Sequence, residues 1–141
     1  MNKRIDRLTA TKIQQEHYSD FMNNFDLNPI TGLLGKVTNE DAVKQSIKNL
    51  LYTNRTERFY NAYIGGRLRS LMFEPMDHVT VQLIQKEVIE TIENNEPRVS
   101  KIECDVKPNE DDNAYHATIY FTIINIPDQN FSLNLILKRV R

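Results

Sequence analysis

A single cysteine, Cys104, stands among the 141 residues. No disulfide can close within the chain, and no cysteine-based zinc site can be built from it. Charge of one sign is equally scarce. The 18 basic and 19 acidic side chains nearly cancel to a formal net charge of −1, so no global field draws the chain to nucleic acid or to an acidic membrane. No apolar run approaches the roughly 20 residues that a membrane-spanning helix needs. The opening string Met1-Asn2-Lys3-Arg4-Ile5-Asp6-Arg7 is charged and leads into no apolar stretch. A secretory leader is therefore not expected, and synthesis is expected in the cytoplasm. Internal repeats and low-complexity tracts are missing too.

Signs of catalysis are also thin. His17, His78 and His116 fall in three unrelated segments, none with a His or Cys at metal-ligand spacing. Gly65-Gly66 is followed by Arg67, without the Gly-Lys-Ser/Thr of a phosphate-binding loop. No nucleophile-elbow string occurs. Cys104 falls on the apolar side of an alternating segment, which suits a core thiol better than a nucleophile. Two carboxylates could hydrolyse a glycosidic bond, but among 19 acidic residues a pair such as Glu57 and Glu96 does not stand out. No cofactor and no metal is expected.

What is present describes an ordinary globular chain, 40% hydrophobic and 26% charged, of a size for one domain. Residues 1–17 are polar and read as a flexible N-terminal arm, leaving 18–141 as the domain. Tyr18 to Phe25 supplies aromatics expected to cover the core, and Asn28-Pro29-Ile30-Thr31-Gly32 reads as a turn. Ala42, Val43, Ile47, Leu50 and Leu51 recur at helical spacing behind Thr38 or Asn39 as cap, and that helix should stop near Tyr52. A short helix is expected over Arg67 to Phe73, closed by Pro75. A long one, capped by Asp77 and carrying Val81, Ile84, Val88 and Ile92 on one stripe, runs to about Asn94. After Pro97 the period changes to two. Ile102 to Val106, Tyr115 to Ile123 and Phe131 to Lys138 alternate as three strands. Lys107–Asn113 and Ile126–Asn130 serve as connections, so an antiparallel meander is the simplest topology. The fold class is α+β, with N-terminal helices packed on a C-terminal antiparallel sheet of about three strands.

Three segments are candidates for contact with other proteins. In Glu96-Pro97-Arg98 the proline forces Glu96 into an extended conformation, which aims Glu96 and Arg98 to the same side. They form either a stiff charged fork, with Arg98 free for a partner's carboxylate and Glu96 for its donors, or a helix stop whose charges pair internally. Asn54 to Arg58, with Phe59-Tyr60, is either a polar-aromatic contact or a solvated loop with its aromatics tucked beneath. The last strand, with Phe131, Leu133 and Leu135 on its apolar side, can lie at the sheet edge, open to an incoming strand, or in the middle of the sheet. Lys138, Arg139 and Arg141 could guard that edge or pair with an acidic arm. Trimming Arg139 to Arg141 should spare the fold, whereas removing residues 131–141 should not.

The order of motifs resembles a known family. A helix ending in Asn49-Leu50-Leu51-Tyr52-Thr53 is followed by Glu57-Arg58, Gly65, Leu71-Met72-Phe73-Glu74-Pro75, a long helix and Glu96-Pro97-Arg98. This resembles the baseplate wedge protein of contractile phage tails, the "lysozyme-like" wedge family of T-even-type phages, which has a counterpart in type VI secretion baseplates. The resemblance covers roughly residues 18–140, and Glu-Pro-Arg is its most specific element. Thr56 stands where the family usually has Gly, Ala62 near its usual Pro, and Ile64 in place of Phe. The resemblance implies a virion component of the tail baseplate, assembled in the host cytoplasm, with six copies per baseplate. Glu96, Pro97 and Arg98 would dock on the helical core bundle of the wedge, and Glu57-Arg58 belong to the same motif set. The strand from Phe131 through Lys138 and Arg139 would face the tail sheath protein and prime its first ring. The N-terminal arm and the central baseplate or tube proteins could take part as well. The family's lysozyme label finds no support beyond abundant carboxylates, so the chain is read as a structural protein, with a peptidoglycan-cleaving glycosidase as the alternative.

Overall fold

The computed structural model describes residues 18–139; the arm expected over 1–17, and Val140 and Arg141, lie outside the described residues. Two short strands, β1 (Ser19–Phe21) and β2 (Lys36–Thr38), pair antiparallel ahead of α1 (Asn39–Tyr52). A single-turn helix, α2 (Leu68–Leu71), precedes the long α3 (His78–Asn95). Strands β3 (Val99–Asn109), β4 (Ala114–Ile123) and β5 (Ile126–Lys138) then form an antiparallel sheet in the order β3-β4-β5.

Periodicity explains most of these elements. Val43, Ile47 and Leu51 of α1 and Val81, Ile84, Val88 and Ile92 of α3 are buried. They share one hydrophobic cluster with Tyr115, Ala117, Ile119, Phe121 and Ile123 of β4 and Phe131, Leu135 and Leu137 of β5. The side chain of Asp77 accepts the Thr80 amide at 2.7 Å and starts α3, satisfying one of the donors a helix start leaves open. Thr38 occupies the cap of α1 but makes no side-chain cap bond.

Local reading falls short in five places, the first being residues 107–109, expected in a connection but paired as the end of β3. The short helix ends at Leu71, with Met72, Phe73 and Glu74 in turns. The stretch Ile126–Asn130, expected as a connection, is the start of β5, and only Ile124 and Asn125 turn the chain. The register slips between Ile126 and Asn130, an irregularity at which a strand tolerates proline. Of the early aromatics only Tyr18 packs on the core, while Phe21 and Phe25 are exposed. Phe59 and Tyr60 are fully exposed, as Tyr63 nearly is, so of the two readings of that loop the one with its aromatics tucked beneath fails.

Tyr115 is fully buried, and its hydroxyl has no hydrogen-bond partner among the described residues. Burial raises its pKa, with Arg139 opposing and Asp77 adding to the rise. Tyr115→Phe keeps the ring and removes a desolvated hydroxyl, so stability should hold or rise by up to about 1 kcal/mol. Urea midpoints of the two proteins, read with unchanged m-values, check this.

Candidate protein-docking site

Pro97 ends α3, and its effect on the preceding residue is visible in Glu96, which leaves the helix at φ −121° and ψ 84°. From that position the Glu96 carboxylate meets Arg98 in a fork. Arg98 Nε donates to Oε1 at 2.6 Å and Nη2 donates to Oε2 at 2.7 Å. Ser46 Oγ, from α1, donates to Oε2 at 2.6 Å. The guanidinium of Arg98 also lies over the Tyr18 ring, 5.5 Å from its centroid, and the backbone carbonyl of Arg98 accepts the Ile124 amide at 3.0 Å. The turn thereby joins α1, the end of α3, the approach to β1 and the β4–β5 turn.

The electrostatics follow from this geometry. Burial pushes the Glu96 pKa up, but hydrogen bonds from Arg98 and Ser46, with the Arg98 charge, outweigh it and hold the carboxyl below its ordinary value. The hydrogen bond to Glu96 raises the Arg98 pKa against the opposing effect of partial burial. Of the two sequence readings, the charges do pair internally. Glu96 is 4% exposed and its oxygens are taken, so it is not the open acceptor that an outward fork would offer. What remains at the surface is Pro97 and about a quarter of Arg98.

Beside this turn lies a depression of about 250 Å³ lined by Asp20, Ser46, Asn49, Arg58, Ile64 and Asn95, among others. Arg58, remote from Glu96 in sequence, is thus brought to the same face. Glu57 goes elsewhere. Its Oε2 accepts the Asn54 amide at 2.8 Å, and it borders a groove of about 510 Å³ with Leu51, Leu68, Met72, Leu137 and Lys138.

β5 is an edge of the three-stranded sheet. Phe131 and Leu135 are buried and Leu133 is half-buried, so these side chains serve the core. A partner at this edge would meet backbone and the outward row of Ser132, Asn134 and the half-exposed Ile136. Lys138 is exposed, but Arg139 is committed internally. Its Nη2 donates to the Glu74 carbonyl at 2.8 Å, its Nη1 to Asn113 Oδ1 at 3.2 Å, and its amide to the Asn113 carbonyl at 3.1 Å. Trimming from Arg139, expected to spare the fold, would remove these contacts to the α2–α3 link and the β3–β4 turn. The opposite edge, β3, carries a register break between Ser100 and Glu103 with Lys101 at φ 49°, the kind of irregularity that discourages strand addition.

Ser46 and Tyr18 escape sequence reasoning. Neither has a local signature: each matters because the fold carries it to the Glu-Pro-Arg turn. Among the described residues no group of three or more His, Cys, Asp or Glu is arranged to hold a metal ion, and no helix is long and apolar enough to cross a membrane. Burial and the neighbouring Asp105 charge push the Cys104 thiol up to about 11, so its thiolate is scarce at neutral pH.

The fold and site define a small α+β protein marked by a buried ion-paired turn after its long helix and by a long edge strand. The chain belongs to the family described as baseplate wedge protein gp25, which it matches over residues 37–126. It is 28% identical over 87 residues to the baseplate wedge protein gp25 of Enterobacteria phage T4, a match covering 62% of this chain and 66% of that protein, just under two thirds of the relative's length. Among solved structures it is similar to a putative tail lysozyme from Geobacter sulfurreducens, with TM-score 0.66, 23% identity, and coverage of 72% of this chain and 92% of that one. It is also similar to a chain of the anti-feeding prophage baseplate, with TM-score 0.61, 18% identity, and coverage of 88% and 87%. At these identities the structural likeness establishes the fold. The family read from the motif order is therefore the right one.

Proposed function

We propose that this chain is a structural wedge component of a contractile-tail baseplate, docking on the helical core bundle of the wedge through the face built around Glu96-Pro97-Arg98 and priming the tail sheath through β5. The observation that carries the reading is the locked fork. Glu96, itself held by Ser46, fixes Arg98 in one geometry and leaves Pro97 and about a quarter of Arg98 at the surface, while Arg58 lines the depression that Ser46 and Asn95 border. A preorganised Arg binds a carboxylate partner with less entropy lost than a free one. Glu96 therefore acts as a positioning residue, and Arg98 with Arg58 meets the partner. β5 supplies the second contact, since its edge position leaves one row of backbone groups for an incoming strand of the sheath protein. In this reading the protein resides in the virion baseplate in six copies after assembly in the host cytoplasm, near the central tube proteins.

The role proposed is non-enzymatic. A retaining or inverting glycosidase needs one carboxyl with a raised pKa to protonate the leaving group, and Glu96, the most buried carboxylate of the motif, is shifted the other way.

The test uses Arg98→Lys, which keeps the charge but cannot reproduce the two-pronged bond. In cells producing particles from a genome that carries this variant, few baseplates should contain the chain and few tails should be sheathed, while the purified variant still folds by circular dichroism. Normal numbers of sheathed tails from a variant proven folded would rule out docking through this turn.

A further inference from the structure

A second depression, sharing no lining residue with the one beside the Glu96–Arg98 turn, encloses about 320 Å³ between Arg55, Arg67, Arg69, Ser70 and Phe73. Backbone geometry puts these arginines together. Asn54 and Gly66 form a parallel bridge, the Arg55 amide donates to the Gly66 carbonyl at 3.0 Å, and α2 starts one residue after Arg67. Three arginines thus line one small space. The carboxylate facing them is Glu87, which lies 3.7 Å from Arg67 Nη2 and accepts the Arg67 amide at 2.7 Å. Arg55 and Arg69 are exposed and have no salt bridge among the described residues. The depression continues, through Asn54 and Arg69, into the groove floored by Leu51, Leu68, Met72 and Leu137, where Glu57 is already engaged by the Asn54 amide.

Such a surface carries excess positive charge at one end and an apolar trough at the other. Guanidinium groups favour carboxylates and phosphates in paired hydrogen bonds. A nucleic-acid backbone, however, is held by basic charge spread along a face or stripe, whereas here the three arginines give way to a groove in which the acidic Glu57 and the basic Lys138 flank the half-exposed Tyr52 and Ile136. The chain as a whole is slightly acidic. The complementary occupant is a protein segment bearing both carboxylates and an apolar side chain. We propose that this depression and groove form a further docking surface, which takes an acidic, amphipathic segment of a partner protein: its carboxylates on Arg55 and Arg69, its apolar side chain against the half-exposed Tyr52 and Ile136. The surface shares no lining residue with the depression beside the Glu96–Arg98 turn, so one copy can hold a partner at each, while its groove end is lined by Ile136, Leu137 and Lys138 of β5.

The experiment titrates the full chain with a synthetic peptide of alternating glutamate and leucine, following the arginine side-chain Nε–Hε resonances by NMR at mildly acidic pH. Saturable shifts are expected at Arg55, Arg67 and Arg69 but not at Arg98, and affinity should fall as salt rises. Arg55→Gln with Arg69→Gln, both exposed and outside the core, should weaken binding about tenfold, whereas Lys107→Gln, exposed on β3 and away from the depression, should leave it unchanged. Absence of saturable shifts in the unaltered protein overturns the proposal, as does a response centred on Arg98. Tighter binding of a single-stranded oligonucleotide of equal length at the same salt overturns it too, in favour of a phosphate ligand. Because the readout resolves Arg98 separately, failure here is distinguishable from failure of the wedge-docking reading.

Discussion

Arg98→Ala is expected to destabilise the isolated chain by about 3 kcal/mol, because it strands the Glu96 carboxylate in a site from which water is nearly excluded. Ser46 alone would then satisfy it. Ordinary surface ion pairs contribute far less, so the size of the loss reports burial and not charge as such. A double-mutant cycle separates the two. Glu96→Gln combined with Arg98→Ala removes the stranded charge, and its loss should be clearly smaller than the sum of the single losses. Equal and additive losses near zero in chemical denaturation would show that the fork does not hold in solution.

The same pair makes stability pH-dependent in a defined direction. The folded pKa of Glu96 lies below the ordinary glutamate value of 4.5. Its contribution is therefore fully present above that value and is lost as pH falls through the depressed folded pKa. Glu96→Gln should flatten this part of the acid limb. The consequence for assembly experiments is direct. Alanine at Arg98 confounds folding with docking, which is why the charge-keeping lysine variant is the informative one.

Gly65→Ala is the second large effect, with an expected loss of roughly 3 kcal/mol or more. Gly65 has φ +103°, a region closed to side-chain-bearing residues. A Cβ there would also stand 2.3 Å from the Thr53 carbonyl oxygen and 2.9 Å from its carbon. That carbonyl accepts the Gly66 amide at 3.1 Å, so relieving the clash opens the neck of the loop carrying Arg58 and the exposed Phe59, Tyr60 and Tyr63. Gly32, with φ +67° and nothing within 4 Å of the place a Cβ would take, is the control. Alanine there should cost only about 1 kcal/mol, from the backbone conformation alone. Thermal unfolding distinguishes the two, and similar small losses at both would mean that the loop neck is free to rearrange.

These variants also mark where local reading ends. Helices α1 and α3 and strand β4 are legible because burial on one face imposes a period of 3.6 or 2 on the apolar residues. The β5 boundary is not, since Ile126 to Asn130 contains Pro127 and polar residues that read as a turn, and only pairing with Thr122 and Ile123 makes its ends a strand. The exposed aromatics at 59, 60 and 63 defeat local reading for a related reason. Aromatic residues in a loop are usually covered, and nothing local says that the loop is tied at its neck and held away from the core.

By itself the sequence determined the α+β class, the three-stranded meander, the Asp77 cap, the stop at Pro97 and, through the order of its motifs, the family. Each is a local or periodic property that neighbouring residues along the chain are enough to specify. Tertiary structure alone decided that Glu96 is a buried clamp for Arg98, that Ser46 and Tyr18 complete it, that Arg58 joins that face while Glu57 leaves it, and that β5 lies at the edge. Those outcomes depend on which segments meet. Contacts between residues far apart in the chain follow from packing the helices and sheet around one core, which no local pattern encodes.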